Sequence, residues 1–296
     1  MKKSALSFIL SILLFVSCNN DNSKKETVAQ SPAQPDSGVF ASGYSDVNGI
    51  KMYYEIHGDK GDFLVLIHGG GSTIRTTFGR VLPILAKNYK VLAVELQAHG
   101  HTNDRVSPES FEQDADDVAT LLDNLQIPKA SFFGFSNGGN TTMQIAIRHP
   151  EIVNKLILAS TFYKREGFPR GFFEGMKQAT IKDMPETLKN AFLEINPDSS
   201  KLMGMFNKDR ERMVQFEDWK DETLRSIKAP TLIINGDHDV INNEHAIAMS
   251  KVIADSRLLI LPAIHGSYIG VEESPVPESK LPELMIGVVD DFLSKK

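Results

Sequence analysis

Gly134-Phe135-Ser136-Asn137-Gly138 follows an apolar run over residues 130–135 and opens a stretch of helical spacing over 137–148. That position decides the fold. A buried strand that feeds a helix through Gly-x-Ser-x-Gly must turn sharply; the glycines relieve crowding at the bend, and the serine hydroxyl is projected from its apex. The five-residue pattern is common by itself, and the strand before it and helix after it make it specific.

Working outward, residues 63–67 and 90–96 are continuously apolar, as strands buried on two faces tend to be. Helical spacing is expected over 75–87 and 110–125. Before them a hairpin is predicted, with strands 41–47 and 51–57 turned at Asn48-Gly49, a favoured two-residue turn. Beyond Ser136, strands are expected at 155–159, 230–234 and 257–261, with a last helix over 281–294. Alternation of this kind predicts an α/β fold, a mostly parallel sheet flanked by helices.

Residues 161–227 break the alternation. They hold no convincing buried strand and concentrate Phe162, Tyr163, Phe168, Phe172, Phe173, Met176, Met203, Met205, Phe206 and Met213. The segment is read as a helical insertion over a core formed by 41–160 and 228–296. Its aromatics and methionines pack first of all against one another, but a small insert also leaves an apolar face toward the cleft. Gly71, Phe135, Phe162, Phe172 and Met176 are the expected pocket residues.

A serine hydroxyl is a weak nucleophile unless a base takes its proton, a third group orients that base, and donors await the oxyanion. Ser136 has a candidate for each. His68-Gly69-Gly70-Gly71 follows a strand, where glycines let the backbone present N–H groups, so Gly70 and Asn137 are the expected oxyanion donors. In Asn235-Gly236-Asp237-His238-Asp239, Asp239 is the preferred orienting acid, with Asp237 expected to make a local turn hydrogen bond. His265 is the preferred base among the eight histidines, because it follows the last predicted strand. His99 and His101 are its rivals, expected instead to be structural or to line substrate. A metal site built on His99, His101 and Asp104 is disfavoured, since histidines at i and i+2 in a turn have no helix on which to converge. No cofactor is called for.

Apolar residues make up 41% and charged residues 24% of the 296, the composition of a globular chain. The net charge is −6, and residues 1–17 contribute two lysines and no acid. That balance argues against nucleic acid as a partner, which requires a basic face. Lys2 and Lys3, followed by the apolar run 5–16, read as an export signal too short to span a bilayer comfortably. Phe15-Val16-Ser17-Cys18 resembles the lipobox of bacterial lipoproteins, with Phe15 where leucine is usual. The resemblance implies lipidation at Cys18, the only cysteine, and a polar tether over 18–40. The expected location is therefore outside the cytoplasm, with membrane contact only through the lipid. The sequence specifies no subunit partner.

Over roughly 49–293 the chain resembles the α/β-hydrolase superfamily, of the kind with a cap inserted after the sixth strand. The resemblance rests on His68-Gly69-Gly70-Gly71, Gly134-Phe135-Ser136-Asn137-Gly138-Gly139, Gly236-Asp237-His238-Asp239 and Ile264-His265-Gly266, in that order. It implies an eight-stranded, mostly parallel sheet, the triad Ser136–Asp239–His265, and acyl transfer on a small-molecule ester. Lactones, bulky macrolide-type ones among them, fall in the same class. Serine at 136 separates the chain from relatives with Asp at that position, the haloalkane dehalogenases and epoxide hydrolases. Glu95-Leu96-Gln97-Ala98-His99-Gly100-His101-Thr102 departs from the common Asp-x-Arg-Gly-x-Gly-x-Ser run. Aminopeptidase-like and other acyl-transfer chemistries share these residues, with Glu174, Glu186 and Glu194 as candidate amine-binding acids of the cap. A binding lipoprotein that retains the scaffold without catalysis is the reading from a different class.

Overall fold

Strands with no polar face need cover on both sides, and the structure, a computed structural model, supplies it across an eight-stranded sheet. It describes residues 39–295; the expected signal segment 1–17, Cys18 and the tether up to residue 38 lie outside the described residues. The strands are β1 (Val39–Val47), β2 (Ile50–His57), β3 (Phe63–Ile67), β4 (Lys90–Val94), β5 (Ala130–Phe135), β6 (Val153–Ala159), β7 (Thr231–His238) and β8 (Ser256–Ile264). Their order across the sheet is β1-β2-β4-β3-β5-β6-β7-β8. Only β2 runs against its neighbours; β3 to β8 are parallel. Parallel strands require long crossovers, which the helices provide.

The helices are α1 (Ile74–Phe78), α2 (Leu82–Leu85), α3 (Phe111–Asn124), α4 (Asn137–Arg148), α5 (Phe172–Gln178), α6 (Glu186–Ile195), α7 (Ser199–Gln215), α8 (Asp221–Arg225), α9 (Asn243–Val252) and α10 (Leu281–Ser294). Side chains alternate across a strand, so each central strand feeds two cores. Val65 and Ile67 pack with Val118, Leu122 and Met143 on the face of α3 and α4. Leu64 and Leu66 pack with Phe78, Leu85 and Met285 on the face of α1, α2 and α10.

The expected helix over 75–87 is divided into α1 and α2. Pro83 lacks an N–H, and its ring would meet the carbonyl of Gly79 in a continuous helix, so the chain breaks and restarts with Pro83 in the first turn of α2. β7 extends past its expected end through His238. Asp237 therefore makes no local turn: its Oδ1 accepts the Ala263 N–H of β8 at 2.9 Å. Among the described residues no helix is long and apolar enough to cross a membrane.

Helices α5 to α8 lie between β6 and β7, in the segment read as an insertion. Phe162, Phe168, Phe173, Met213 and Phe216 form one small core there, and Met184, Leu188, Phe192, Leu202 and Met205 a second. The two leave a gap between them above the C-terminal ends of the parallel strands.

Space at the β5–α4 junction is too tight for side chains at two glycines. A Cβ on Gly138 would stand 2.2 Å from the Ile67 carbonyl oxygen, and one on Gly134 2.2 Å from that of Gly138. We expect Gly138→Ala to lower stability by about 3 kcal/mol or more, since rigid backbone cannot yield. Gly175→Ala on α5, where a Cβ meets nothing within 4 Å, should instead gain up to about 1 kcal/mol. Urea unfolding midpoints of the two variants check the contrast.

Candidate active site

Ser136 ends β5 and caps α4 with φ 53° and ψ −123°, a conformation that non-glycine residues rarely adopt. Its own N–H is tied to the Ala159 carbonyl at 2.8 Å, so the bend is anchored to the neighbouring strand. The hydroxyl thus stands clear of the sheet on a short turn anchored at its own N–H and carbonyl.

Two loops bring the other predicted groups to it. His265 lies just past β8, and Asp239 just past β7. His265 Nδ1 is 2.7 Å from Asp239 Oδ1, and Nε2 is 3.3 Å from Ser136 Oγ. A carboxylate only accepts, so the proton sits on Nδ1 and the Nε2 lone pair faces the serine hydroxyl. Beneath the imidazole lies Phe135, its ring centroid 4.8 Å away. Phe135 is buried in the sheet core rather than facing the cavity, because as the last residue of β5 it points to the opposite side from the elbow. It supports the base and is not a pocket residue.

Asp239 is the most heavily bonded group of the three. Oδ1 also accepts the Ile241 N–H at 3.1 Å, and Oδ2 accepts the Ser160 hydroxyl at 2.5 Å and the Gly236 N–H at 3.3 Å. Burial pushes its carboxyl upward, but the hydrogen bond and electrostatic attraction of His265, with hydrogen bonds from Ser160 and the Ile241 N–H, leave it below the ordinary aspartate range. It stays an anion, as an orienter of a histidine must. Ser160 has φ 48° and also shares a 2.6 Å hydrogen bond with Tyr268. Neither residue was singled out by sequence; a polar residue directly after β6 is the only local sign of Ser160.

Above Ser136 stand two backbone N–H groups. Those of Gly70 and Asn137 make no hydrogen bond within the described residues, and the Asn137 amide heads α4. At this end the helix carries partial positive charge. The Gly70 loop is held below by His68, whose Nε2 accepts the Leu96 N–H at 3.0 Å and whose Nδ1–H donates to the Gly69 carbonyl at 2.7 Å. Burial, then the charge of His99, pushes His68 down to about 3, so it is a neutral brace.

Serine, imidazole and both N–H groups border a cavity of about 550 Å³ between core and insertion. Gly71, Phe162, Phe172 and Met176, all expected there, line it together with Met184, Leu188 and Met205. Glu174, Glu186 and Glu194 do not: Glu186 pairs with Lys189 and Glu194 with Arg75 on the surface.

Sequence reading also passed over a buried ionic cluster behind this cavity. Along α7 the buried positions are Leu202, Met205, Asp209, Arg212 and Met213, so two charges occupy an otherwise apolar stripe. Charges on an apolar stripe are the signal that could have revealed them. Arg212 pairs with Asp209 and, at 2.8 Å, with Asp114 of α3; Glu109 lies 3.6 Å from it. His99 is not at the cavity. Its Nδ1 faces the Gln97 carbonyl at 2.7 Å and its Nε2 faces Asp209 at 2.9 Å. Both of these partners are acceptors, which favours a proton on each nitrogen; the Gly71 N–H also lies 3.0 Å from Nε2 but makes its shorter hydrogen bond, 2.6 Å, to Asp209 Oδ2. Burial pulls His99 down, but the charge and hydrogen bond of Asp209 outweigh it and raise the imidazole to about 9. His101 instead pairs with Glu95 and stacks on Tyr53, while Asp104 pairs with Lys208. The three do not converge, and among the described residues no cluster of metal-type ligands is present.

Comparison with known proteins gives a matching account. The family model described as alpha/beta hydrolase fold matches residues 62–194. A human serine hydrolase, BPHL, is 28% identical, the match covering 73% of this chain and 77% of that one. A pimeloyl-[acyl-carrier protein] methyl ester esterase of Nitrosospira multiformis is also 28% identical, over 72% and 90%. Among solved structures, the enol-lactonase of Burkholderia xenovorans LB400 superposes with a TM-score of 0.67 at 24% identity, covering 85% of this chain and all of that one. The CarC serine hydrolase of carbazole degradation gives 0.70 at 23%, covering 86% and 98%. The fold is the α/β-hydrolase fold, and the relatives support hydrolase chemistry of that type.

The buried cluster generates a pH signature. His99 titrates at about 9 in the folded chain and near 6.5 when unfolded, so its stabilisation is complete below about pH 6.5 and is lost as pH rises through 9. Glu109, raised to about 8 mainly by burial, adds to the loss in the same direction. Stability should fall by on the order of 5 kcal/mol between pH 6.5 and 9.5, the larger part of it from His99. In His99→Gln that slope should flatten; urea titrations at the two pH values measure it.

Proposed function

We propose, on the premise that the chain is an enzyme of the α/β-hydrolase type, that it hydrolyses carboxylic esters through an acyl-enzyme formed on Ser136. The observation carrying this reading is the continuous chain Ser136 Oγ–His265–Asp239 beneath two unengaged N–H groups. His265 takes the serine proton as Oγ attacks the ester carbonyl, and the oxygen of the tetrahedral intermediate accepts from Gly70 and Asn137 N–H. Collapse releases the alcohol with the proton from His265. Water, deprotonated by the same imidazole, then attacks the acyl group and frees acid and serine. Asp239 keeps His265 in the required tautomer and balances its transient positive charge.

Substrate class follows from the cavity. At about 550 Å³, and lined by Phe162, Phe168, Phe172, Met176, Met184 and Met205, it suits an apolar acyl or alkyl group of drug size. A lactone presents the same bond in a ring, and macrolide-type rings stand at the upper limit of size. Flexible methionines suit a pocket that adapts to its occupant. Aminopeptidase chemistry is less favoured, because the candidate amine-binding acids Glu174, Glu186 and Glu194 lie outside the cavity lining.

Export and lipid attachment at Cys18 belong to the same proposal, resting on Lys2, Lys3, the apolar run 5–16 and the lipobox-like Phe15-Val16-Ser17-Cys18. Radiolabelled palmitate should enter the wild type in a bacterial host and be absent from Cys18→Ser. Equal incorporation in both would refute the anchor.

For the chemistry, a panel of p-nitrophenyl esters, lactones and aminoacyl anilides should show turnover of the esters that falls about 10⁴-fold or more in Ser136→Ala. A fluorophosphonate probe should label the wild type and not the variant. Equal turnover by both proteins sinks the nucleophile assignment, and a well-folded wild type that fails to label favours the non-catalytic binding role.

A further inference from the structure

Burying ions is costly, and a buried pair usually contributes less stability than apolar residues of the same volume. The insertion nevertheless keeps Asp209 and Arg212 inside, and one contact distinguishes this cluster from an ordinary ion pair. Asp209 Oδ2 accepts the Gly71 N–H at 2.6 Å, across the boundary between α7 and the loop that carries Gly70. The carboxylate also lies directly over Gly70, where a Cβ would stand 3.3 Å from Oδ2 and 2.5 Å from the Asn137 side-chain nitrogen.

The contact acts on a turn that has little stiffness of its own. Gly69 to Ser72 closes through a 3.3 Å hydrogen bond from Ser72 N–H to the Gly69 carbonyl, with Gly71 at φ 68°. With glycine at both central positions, the Gly70–Gly71 peptide can flip between the two common turn types at small cost. A flip would take the Gly71 N–H away and turn the Gly70 carbonyl oxygen toward the same side. That would set an acceptor beside the place where an oxyanion forms. A charge-assisted hydrogen bond at 2.6 Å opposes the flip. Asp209 is in turn held by the doubly protonated His99 and by Arg212, which Asp114 of the core anchors. The two cations also offset a carboxylate that would otherwise repel a nearby oxyanion.

We propose that Asp209 is a positioning residue: from the insertion, it fixes the Gly70–Gly71 peptide and thereby keeps the Gly70 carbonyl oxygen turned away from the oxyanion donor, the Gly70 N–H of the preceding peptide unit, so that the donor is competent only while α7 is seated. This rests on the reading of Gly70 as oxyanion donor given above. It makes α7 part of the catalytic geometry, and not merely a wall of the pocket.

The test uses the full chain, with kcat counted per Ser136 labelled by the fluorophosphonate probe, and compares a p-nitrophenyl ester with its thionoester. Sulfur accepts hydrogen bonds poorly, so the preference for the oxygen ester reports on the donors themselves. In Asp209→Leu a neutral His99 Nε2, 3.0 Å from Gly71 N, could take over as acceptor, so the deciding variant is Asp209→Leu/His99→Leu. In that variant kcat per labelled serine should fall about 10- to 100-fold with KM nearly unchanged, and the preference should narrow at least about fivefold. Asp209→Asn, which keeps an oxygen facing Gly71 N–H, should hold the preference within about twofold. A purely structural role would reduce the labelled fraction and leave both ratios alone. Wild-type kcat per labelled serine and wild-type preference in the double variant overturn the proposal, as does a preference lost equally in Asp209→Asn. If the double variant does not fold, Asp209→Leu/His99→Leu/Arg212→Met, which also removes the cation left without its partner, replaces it, with a narrowing of at least about fivefold expected and wild-type preference again overturning. A wild type that fails to label tells against the Ser136 reading instead.

Discussion

Everything at this site depends on one constraint, the absence of a Cβ at Gly134 and Gly138. With those two positions bare, β5 can run straight into α4 and hold Ser136 at φ 53°, its hydroxyl above the strand ends and the Asn137 N–H beside it. The carbonyls of Ile67 and Gly138 stand where side-chain carbons would be, so β3, β5 and α4 pack closely enough for the His68–Gly71 loop to lie over the serine. The strained backbone of one residue is thereby over-determined by strands on either side, the condition under which strain persists.

Around that bend the protein uses its histidines in three protonation roles, each set by what the two ring nitrogens face. His68 meets one acceptor and one donor and is neutral. His99 faces two acceptors, with the Gly71 N–H beside the second, and the Asp209 carboxylate makes it a cation, although its ring centroid lies only 4.9 Å from that of His68. His265 meets a carboxylate on one side and a hydroxyl on the other, which leaves a lone pair free for proton transfer. Burial alone would have neutralised both His68 and His99; their partners decide between them. The cation is retained where the buried Asp209 carboxylate is balanced, and the free lone pair of His265 faces the Ser136 hydroxyl.

The insertion consequently does more than cover the cleft. Its aromatic cluster and its methionine-containing cluster are separate small cores, and the cavity is the space they fail to fill. Between them α7 carries a polar device across the boundary, linking Arg212, Asp209 and His99 to the Gly71 amide. A wall built only of apolar groups would slide against the core at little cost. Directional, charge-assisted bonds specify a single seating, which is the best-attested use of buried ionic groups.

How much of this was legible follows the range of the interactions involved. Strand and helix positions, the Gly-x-Ser-x-Gly bend, the order of Ser136, Asp239 and His265, and the stretch lacking buried strands are all written in residue spacing, because period and turn chemistry act over a few neighbours. Local rules erred where a second local effect intervened, as at Pro83, or where a strand found a partner, as at Asp237. Phe135 was misassigned because its neighbour in sequence faces the other side of the sheet. Ser160 on Asp239, Tyr268 behind it, and Asp209 on Gly71 were invisible for a different reason. Each joins residues 79 to 138 positions apart, and only the folded chain brings their atoms within hydrogen-bonding distance. Residue spacing was enough for the sheet, the bend and the chain order of Ser136, Asp239 and His265, since those depend on periodicity and on what a glycine lacks. The tertiary structure alone decided which histidine is charged, what holds the orienting carboxylate, and how the insertion reaches the oxyanion loop, since those depend on which groups meet when water is excluded.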